Sequence, residues 1–368
     1  MKIPVSTPDI TPEDVGAVAE CAASGWVSGI SPYVERFEKE FADYIGVKHG
    51  VATGSGTTAL HLAMASLKLP RGSEVVMPSF TMIASANACS YLGLKPVFVD
   101  IEPDTWCMDT SKLVNKITSK TKAIMPVHIY GHPCNMGAIR DIALDHDLYI
   151  IEDAAESHGA TWKNKKTGSL GDLGCFSFYA NKIITTGEGG MITTDDDDLA
   201  ETCRWLRAHA FGREGRHYWH EDVGYGYRMG GLQAALGSSQ LKRVNYYVQK
   251  RQMNAWYYMH QLEHLRERGL VVYPVQRREA SNVYWMFSVL LTDEAKISRD
   301  YLVKALEGFG IETRTFFYPL HVQPPYKTDD TLPVTMDIYP RGINLPSGNQ
   351  LTKQQIEAVC STIGDLLG

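Results

Sequence analysis

The first two-thirds of the chain alternates short apolar runs with longer amphipathic stretches. The apolar runs cover residues 50–53, 74–78, 96–100, 123–127, 148–152, 174–178 and 191–194. Runs this short and apolar are typical of strands buried on both faces, and the segments between them are long enough for helices. The pattern therefore predicts an α/β domain whose mainly parallel, seven-stranded sheet is flanked by helices.

Residues 11–25 carry the signals of a capped amphipathic helix. Thr11 suits the N-cap, Pro12 the first helical position and Asp14 the third, and apolar residues follow at helical spacing until Gly25. We expect this N-terminal helix to belong to the large domain.

The pattern changes after residue 240. A long helical stretch covers residues 241–265, and strand-like segments follow at residues 270–273 and 285–291. Two further helical patterns begin after Ser298 and Thr352. The sequence therefore predicts a large α/β domain over residues 1–240 and a smaller α+β C-terminal domain over residues 241–368.

Charge and composition narrow the class of protein. The chain has 368 residues and a net charge of −6, without a block of basic residues that would follow a nucleic-acid backbone. No apolar stretch approaches the ~20 residues of a membrane span, and the N-terminus lacks an apolar stretch of signal-peptide length. We expect a cytoplasmic protein that binds neither nucleic acid nor membrane.

The seven cysteines are scattered along the chain without a Cys-x-x-Cys pair or a Cys/His cluster. We interpret them as reduced thiols. The sequence predicts neither a disulfide framework nor a metal site.

Lys182 lies between the apolar run 174–178 and the glycine-rich segment 187–190. Most lysines are solvated and have no special role. This position instead favours burial at the end of a strand, and burial lowers the pKa of an amine and makes it a usable Schiff-base nucleophile. The context indicates carbonyl chemistry.

An anion site is predicted where residues 53–60 follow a strand and open a helix. Ser55, Gly56 and Thr57 place hydroxyls and unpaired N–H groups at the helix N-terminus, which favours phosphate. Simple N-capping by Ser55 or Thr57 is the alternative interpretation. The segment has neither the lysine of a P-loop nor the glycine spacing of a dinucleotide fingerprint.

Asp153 follows the apolar run 148–152, at the carboxyl end of a predicted strand. An aspartate held there can keep a pyridine nitrogen protonated, and the protonated ring becomes an electron sink. A helix N-cap is the competing interpretation.

A phosphate cradle, a carboxylate and a lysine in this order resemble the pyridoxal-phosphate-dependent sugar aminotransferases of the DegT/DnrJ/EryC1/StrS family. The resemblance extends over essentially the whole chain and rests on residues 25–28, 55–57, 152–156, 176–178, 182, 187–190, 228–229 and 344–346. Within the family it is closest to the subgroup that makes GDP-perosamine, through residues 125–131, 181–194, 218–219 and 227–229.

The resemblance implies the fold-type-I transferase architecture and a role for each matching residue. Lys182 would form the Schiff base with pyridoxal phosphate and act as general acid and base, and Asp153 would pair with the ring nitrogen. Ala155 would lie against the ring face and Glu156 near the ring hydroxyl. The cofactor phosphate would be held by Ser55, Gly56, Thr57 and Ser177.

Substrate recognition is expected to draw on Arg314, Tyr318 and His321, because guanidinium, phenol and imidazole groups suit a diphosphate and sugar hydroxyls. Ordinary loop contacts are the alternative. Trp26 and Ser28 in the N-terminal loop are further candidates, and Trp26 could equally be buried for packing.

The chain departs from the family pattern at three positions. Met82 stands where an aromatic residue usually stacks on the ring, and a thioether can still cover a π face. Gly226 replaces an asparagine that reaches the phosphate from the neighbouring subunit, which removes one donor, and Gly348 stands where relatives often have histidine.

The resemblance implies a homodimer with shared active sites that transfers an amino group from L-glutamate, through pyridoxamine phosphate, to C4 of a nucleotide-linked 4-keto-6-deoxyhexose. GDP-4-keto-6-deoxymannose is the expected substrate, and the product would be an amino sugar of O-antigen lipopolysaccharide. The alternatives are a UDP- or dTDP-linked keto sugar aminated at C4 or C3, a sugar dehydratase, which Lys182 disfavours, and a cofactor-binding regulator without turnover. No metal is needed.

Overall fold

The computed structural model describes residues 2–212 and 218–368. Its strands, in chain order, are β1 (His49–Thr53), β2 (Glu74–Pro78), β3 (Lys95–Val99), β4 (Thr121–Ile124), β5 (Tyr149–Asp153), β6 (Thr161–Trp162), β7 (Lys165–Lys166), β8 (Leu173–Ser177), β9 (Gly190–Thr194), β10 (Val271–Val272), β11 (Ala280–Ser281), β12 (Phe287–Leu291), β13 (Arg314–Thr315) and β14 (Gly342–Leu345).

The α-helices are numbered in the same way, in chain order. They are α1 (Pro12–Ser24), α2 (Pro32–Ile45), α3 (Gly56–Ser66), α4 (Ala84–Tyr91), α5 (Thr110–Leu113), α6 (Met136–His146), α7 (Asp197–Leu206), α8 (Gly231–Leu241), α9 (Val244–Glu267), α10 (Arg299–Gly308), α11 (Pro333–Ile338) and α12 (Lys353–Leu367). Within the described stretches, each helix lacks the length or the apolar character that crossing a membrane requires.

Seven strands form the main sheet, in the order β1-β9-β8-β5-β4-β2-β3. Neighbouring strands from β8 to β3 pair in parallel, whereas β9 runs antiparallel to both of its neighbours. The prediction of a mainly parallel, seven-stranded sheet is confirmed, and every predicted apolar run contributes one strand.

The topology brings several strand ends to one edge of this sheet. The carboxyl ends of β1, β5 and β8 meet there, and β9 begins there because it is antiparallel. In open α/β sheets this edge is where ligands bind. Asp153 ends β5 and Ser177 ends β8, so the two side chains start from neighbouring strands.

The predicted N-terminal helix is confirmed. Thr11 is the N-cap of α1, and the Asp14 carboxylate accepts a hydrogen bond of 2.9 Å from the Thr11 N–H. Gly25 ends the helix in the left-handed conformation, with a φ of 78° that glycine adopts without strain. Arg243 also binds the Asp14 carboxylate at 2.7 Å, which ties α1 to the start of α9.

A second sheet, ordered β10-β12-β14-β13, packs against α9, α10 and α12 around a separate apolar core. The helical stretch predicted from residue 241 begins at Val244 as α9, because α8 ends at Leu241. Ile3 also lies in this core and bridges to Ile311, so the N-terminus reaches across to it. The division of the chain at residue 240 stays a prediction.

Candidate active site

A cavity of about 360 Å³ opens at the edge of the main sheet where β1, β5 and β8 end. Most of the predicted site residues line it, although they are far apart in the sequence. These residues are Ser55, Gly56, Thr57, Met82, Asp153, Ala155, Glu156, Ser177, Lys182 and Arg314.

Lys182 is buried in this cavity, with only 10% of its side chain exposed. Its Nζ lies 3.8 Å from Oε1 of Glu156 and 3.7 Å from the centre of the Trp285 ring. Burial lowers the pKa of the Lys182 amine, and the charges of Glu156 and Asp153 oppose that shift. A larger share of neutral amine is available for attack on a carbonyl than in a solvated lysine.

Asp153 presents a buried carboxylate with neutral partners. Its Oδ2 accepts a hydrogen bond of 2.7 Å from the Ser85 hydroxyl, and its Oδ1 accepts one of 3.2 Å from the Ala155 N–H. Burial raises the pKa of Asp153, although these two donors and the charge of Lys182 act in the opposite direction. A cationic N–H placed against this carboxylate would offset the free-energy cost of burying its charge.

Glu156 is held on the wall of the cavity by the Tyr130 N–H, which donates a hydrogen bond of 2.8 Å to Oε2. Burial raises the pKa of Glu156 to about 7, although the charge of Lys182 opposes the shift. Since burial also lowers the pKa of Lys182, the two groups approach each other in proton affinity. Both shifts weaken the preference for a charged Lys182–Glu156 pair.

We expect Glu156→Gln to change how the stability of the apoprotein depends on pH. The folded state holds the Glu156 proton up to about pH 7, whereas the unfolded chain releases it around 4.5, so this group lowers stability as the pH rises between those values. The free energy of unfolding of the variant, relative to wild type, should rise by about 2 kcal/mol from pH 5 to pH 8.

Urea unfolding at the two pH values measures this difference, and the exposed Glu307→Gln serves as the control. A difference between Glu156→Gln and wild type that does not change with pH would contradict the shifted titration of Glu156.

The start of α3 forms the part of the cavity suited to phosphate. The Ser55 hydroxyl accepts a hydrogen bond of 3.2 Å from the Thr58 N–H, so Ser55 caps α3, and it also lines the cavity. The first amide groups of a helix have no carbonyl partner within it. A Cβ at Gly56 would lie 2.7 Å from Cβ of Ser177, so glycine is required for this close approach.

Two of the residues expected to bind substrate lie at the cavity and its rim. Arg314, at the start of β13, lines the cavity beside Glu156 and Lys182. Tyr318 is 58% exposed and lines an adjoining cavity of about 480 Å³, which shares Met82 with the first. The two cavities together extend from the lysine toward the surface.

Three other candidates lie outside this cavity. Trp26 and Ser28 are exposed and line neither cavity, so the packing alternative for Trp26 does not apply. His321 is 3% exposed, and its Nδ1 pairs with the Ser79 hydroxyl at 2.7 Å. Its ring therefore ties the loop after β13 to the end of β2, and the structure does not bring it to the predicted substrate site.

Tyr130, Trp285 and Asn344 also line the cavity, and Ser85 supports Asp153 from outside the lining; sequence reasoning assigned none of these four a role. Ser85 bonds to Asp153, and Tyr130 holds Glu156 through its N–H. Trp285 faces Lys182, and Asn344 lines the wall while accepting a hydrogen bond from Ser288. Tyr130 and Asn344 lie within the segments 125–131 and 344–346 that carry the family resemblance, whereas Ser85 and Trp285 reach this site through long-range folding without a local sequence signal.

The three departures from the family pattern have distinct environments. Met82 is 50% exposed and lines the cavity, so its thioether is available to cover a flat ring. A Cβ at Gly226 would lie 3.1 Å from Cε1 of His209, and one at Gly348 would lie 3.4 Å from Cα of Ser6. Both glycines therefore sit against neighbouring chain segments.

The donors in this cavity fit pyridoxal phosphate. Hydroxyls and helix N–H groups suit its phosphate, Asp153 suits a protonated ring nitrogen, and the buried Lys182 amine suits its aldehyde. The described residues contain no cluster of three His, Cys, Asp or Glu side chains that could hold a metal ion. The site is thus built for an organic cofactor with an anionic tail.

Comparisons with known proteins agree with this geometry. Residues 8–364 match the DegT/DnrJ/EryC1/StrS aminotransferase family. The chain is 44% identical to the GDP-perosamine synthase of Caulobacter vibrioides, over 100% of this chain and 98% of that protein. It is 39% identical to the GDP-perosamine synthase of Escherichia coli O157:H7, over 99% and 98% of the two chains.

A solved aminotransferase structure has a closely similar fold. The crystal structure of the aminotransferase TlmJ from Streptoalloteichus hindustanus superposes with a TM-score of 0.94, at 28% identity, over 100% of this chain and 99% of that one. This chain therefore belongs to the DegT/DnrJ/EryC1/StrS family of pyridoxal-phosphate-dependent aminotransferases.

Proposed function

We propose that this protein transfers the amino group of L-glutamate to C4 of GDP-4-keto-6-deoxymannose and so produces GDP-perosamine. The observation that carries the proposal is the convergence of Lys182, Asp153, Glu156 and the Ser55–Thr57 turn on one cavity. The choice of a GDP-linked sugar is supported by the two GDP-perosamine synthases that are 44% and 39% identical over nearly the whole chain.

Different residues of the cavity would bind different parts of the cofactor. Ser55, Gly56, Thr57 and Ser177 would bind the phosphate, Asp153 would bind the ring nitrogen, and Ala155 and Met82 would lie against the ring. When bound, pyridoxal phosphate supplies an electron sink and, in its amine form pyridoxamine phosphate, stores the amino group between the two half-reactions.

Lys182 moves the proton in both half-reactions. It would take the proton from Cα of L-glutamate and give it to C4′, the carbon of the cofactor that carries the amino group. When the keto sugar is aminated, it would move a proton from C4′ to the sugar carbon. Glu156, 3.8 Å from the amine, can hold the proton that Lys182 releases. The buried setting excludes water from these transfers.

Arg314 and Tyr318 are placed to bind the nucleotide sugar, because a guanidinium suits a diphosphate and Tyr318 lines the cavity leading outward. We also propose a homodimer. Trp26 and Ser28 are exposed and lie outside the cavity of their own chain, so they are available to the site of a second subunit.

The test combines absorption spectra with a substrate panel. Protein incubated with pyridoxal phosphate should turn yellow, and L-glutamate should bleach the colour. Turnover of GDP-, UDP- and dTDP-linked 4-keto-6-deoxy sugars, with NMR of the product, then identifies the nucleotide and whether C4 or C3 carries the amine. Turnover of a non-GDP substrate alone would overturn the perosamine proposal, and binding without turnover would favour a regulator.

Gly56→Ala should weaken retention of pyridoxal phosphate by about 10- to 100-fold, since its new methyl group would collide with Ser177. Equilibrium dialysis measures the Kd. Gly54→Ala is the matched control, because a Cβ there would lie 4.0 Å from the nearest atom, the Tyr227 carbonyl oxygen. Equal Kd values for the two variants would contradict the proposed phosphate position.

A further inference from the structure

The backbone on both sides of Lys182 is bound by side chains from the C-terminal part of the chain. The Trp285 indole N–H donates a hydrogen bond of 2.9 Å to the Asn181 carbonyl. The Asn349 amide donates one of 3.3 Å to the Ile183 carbonyl. The carbonyl groups of the two residues next to Lys182 in the sequence, Asn181 and Ile183, are therefore both hydrogen-bonded to side chains from the C-terminal part of the chain.

Arg251 of α9 binds both of these residues, Asn349 through its side chain and Trp285 through its backbone carbonyl. Its Nε donates a hydrogen bond of 2.8 Å to Oδ1 of Asn349, and its Nη1 donates one of 2.5 Å to the Trp285 carbonyl. The Asn349 amide thus accepts on one side and donates on the other, which fixes its orientation. The ring of Trp285 also faces Nζ of Lys182.

Arg251 is unusual because its charge has no carboxylate partner. It is 2% exposed, and in the described residues it forms no ion pair, only hydrogen bonds to neutral groups. A buried charge without a counter-ion is unfavourable, and an apolar side chain would serve simple packing better. The presence of a guanidinium here indicates that both the geometry of its N–H donors and its charge have a role.

We propose that Arg251 is a positioning residue for Lys182. It acts through Trp285 and Asn349, and we call these three residues the clamp. The inference rests on the proposed function of Lys182 as the reactive amine. The nearby guanidinium charge also contributes to lowering the pKa of Lys182, in the same direction as burial. The clamp therefore affects both the position of the Lys182 amine and its pKa.

Four substitutions at three residues test the clamp. Arg251→Met removes the charge and both hydrogen bonds, whereas Arg251→Lys keeps the charge but loses the fork of donors. Trp285→Phe and Asn349→Leu each remove one link without removing a charge, and so test the clamp if the Arg251 variants fail to fold. Tyr258→Phe is the matched control, because it removes a hydrogen bond of 2.9 Å from α9 to the Pro346 carbonyl, outside the clamp.

The first measurement is trace acetylation of the apoprotein across a pH series, read by mass spectrometry of the Lys182 peptide, with exposed Lys122 as internal reference. We expect the Lys182 titration to move to higher pH in Arg251→Met, and to move less in Arg251→Lys. Trp285→Phe and Asn349→Leu should shift it in the same direction, and Tyr258→Phe should leave it unchanged.

The second measurement is steady-state kinetics, in which the clamp variants should lose about tenfold in kcat with KM for L-glutamate nearly unchanged, because they misplace the amine and not the substrate. A Lys182 titration that the folded clamp variants leave unchanged would overturn the clamp alone. A wild-type Lys182 that titrates like the reference lysine would overturn both the clamp and the proposed role of Lys182.

Discussion

Lys182→Ala should abolish the yellow colour that pyridoxal phosphate gives to the protein and lower kcat by about 10⁴-fold. In the proposed mechanism the side chain supplies both the amine that would bond to the cofactor and the group that would move the proton, so we expect no other residue to replace it. Its amine is the one placed 3.8 Å from Glu156 inside the cavity. Absorption spectra and the rate of GDP-perosamine formation measure the two losses.

Lys122→Ala, an exposed position on β4, is the control and should leave colour and rate unchanged. A small primary amine added to Lys182→Ala should restore part of the rate, because it can occupy the space that the side chain leaves. Colour that survives Lys182→Ala would assign the Schiff base to another lysine.

Asp153→Asn should lower kcat by about 10³-fold while the fold is kept. The substitution preserves the shape of the side chain but removes its charge, and loss of one partner of a buried ion pair costs about 3–5 kcal/mol. Each 1.36 kcal/mol changes a rate tenfold. The measurement is kcat at saturating L-glutamate and cofactor, with the midpoint of thermal unfolding as the check on folding.

Ser85→Ala is the comparison for Asp153→Asn. It removes the hydroxyl that donates to the same carboxylate at 2.7 Å but leaves the charge in place, so we expect only about a tenfold loss in kcat. Equal losses in the two variants would mean that the hydrogen bond, and not the charge on Asp153, carries the effect.

The parts of the fold that the sequence predicted are those with local signals. Each strand of the main sheet is a short apolar run, because parallel strands are buried on both faces. The two short strands β13 and β14 have no such signal, since Arg314 and Thr315 are exposed and β14 lies among glycine and proline residues. Their pairing depends on contacts between distant segments.

The same distinction holds for the site. Lys182 and Asp153 could be found because each stands at the end of an apolar run. Trp285 could not, because its position over the lysine arises from folding of residues 104 positions apart, as the bond to Asn181 shows. The residue type of His321 suggested substrate binding, but its ring is already satisfied by Ser79 in the interior.

The bond from Asn349 to the Ile183 carbonyl spans 166 positions of sequence. During synthesis the phosphate turn and Asp153 emerge long before Asn349 leaves the ribosome. A nascent chain that ends before residue 349 already holds the phosphate turn, Asp153, Lys182, Arg251 and Trp285, but it lacks the Asn349 link to the Ile183 carbonyl. Synthesis of residue 349 is therefore the step that completes the proposed clamp, and a chain truncated before it would release a protein in which the backbone after Lys182 is not held.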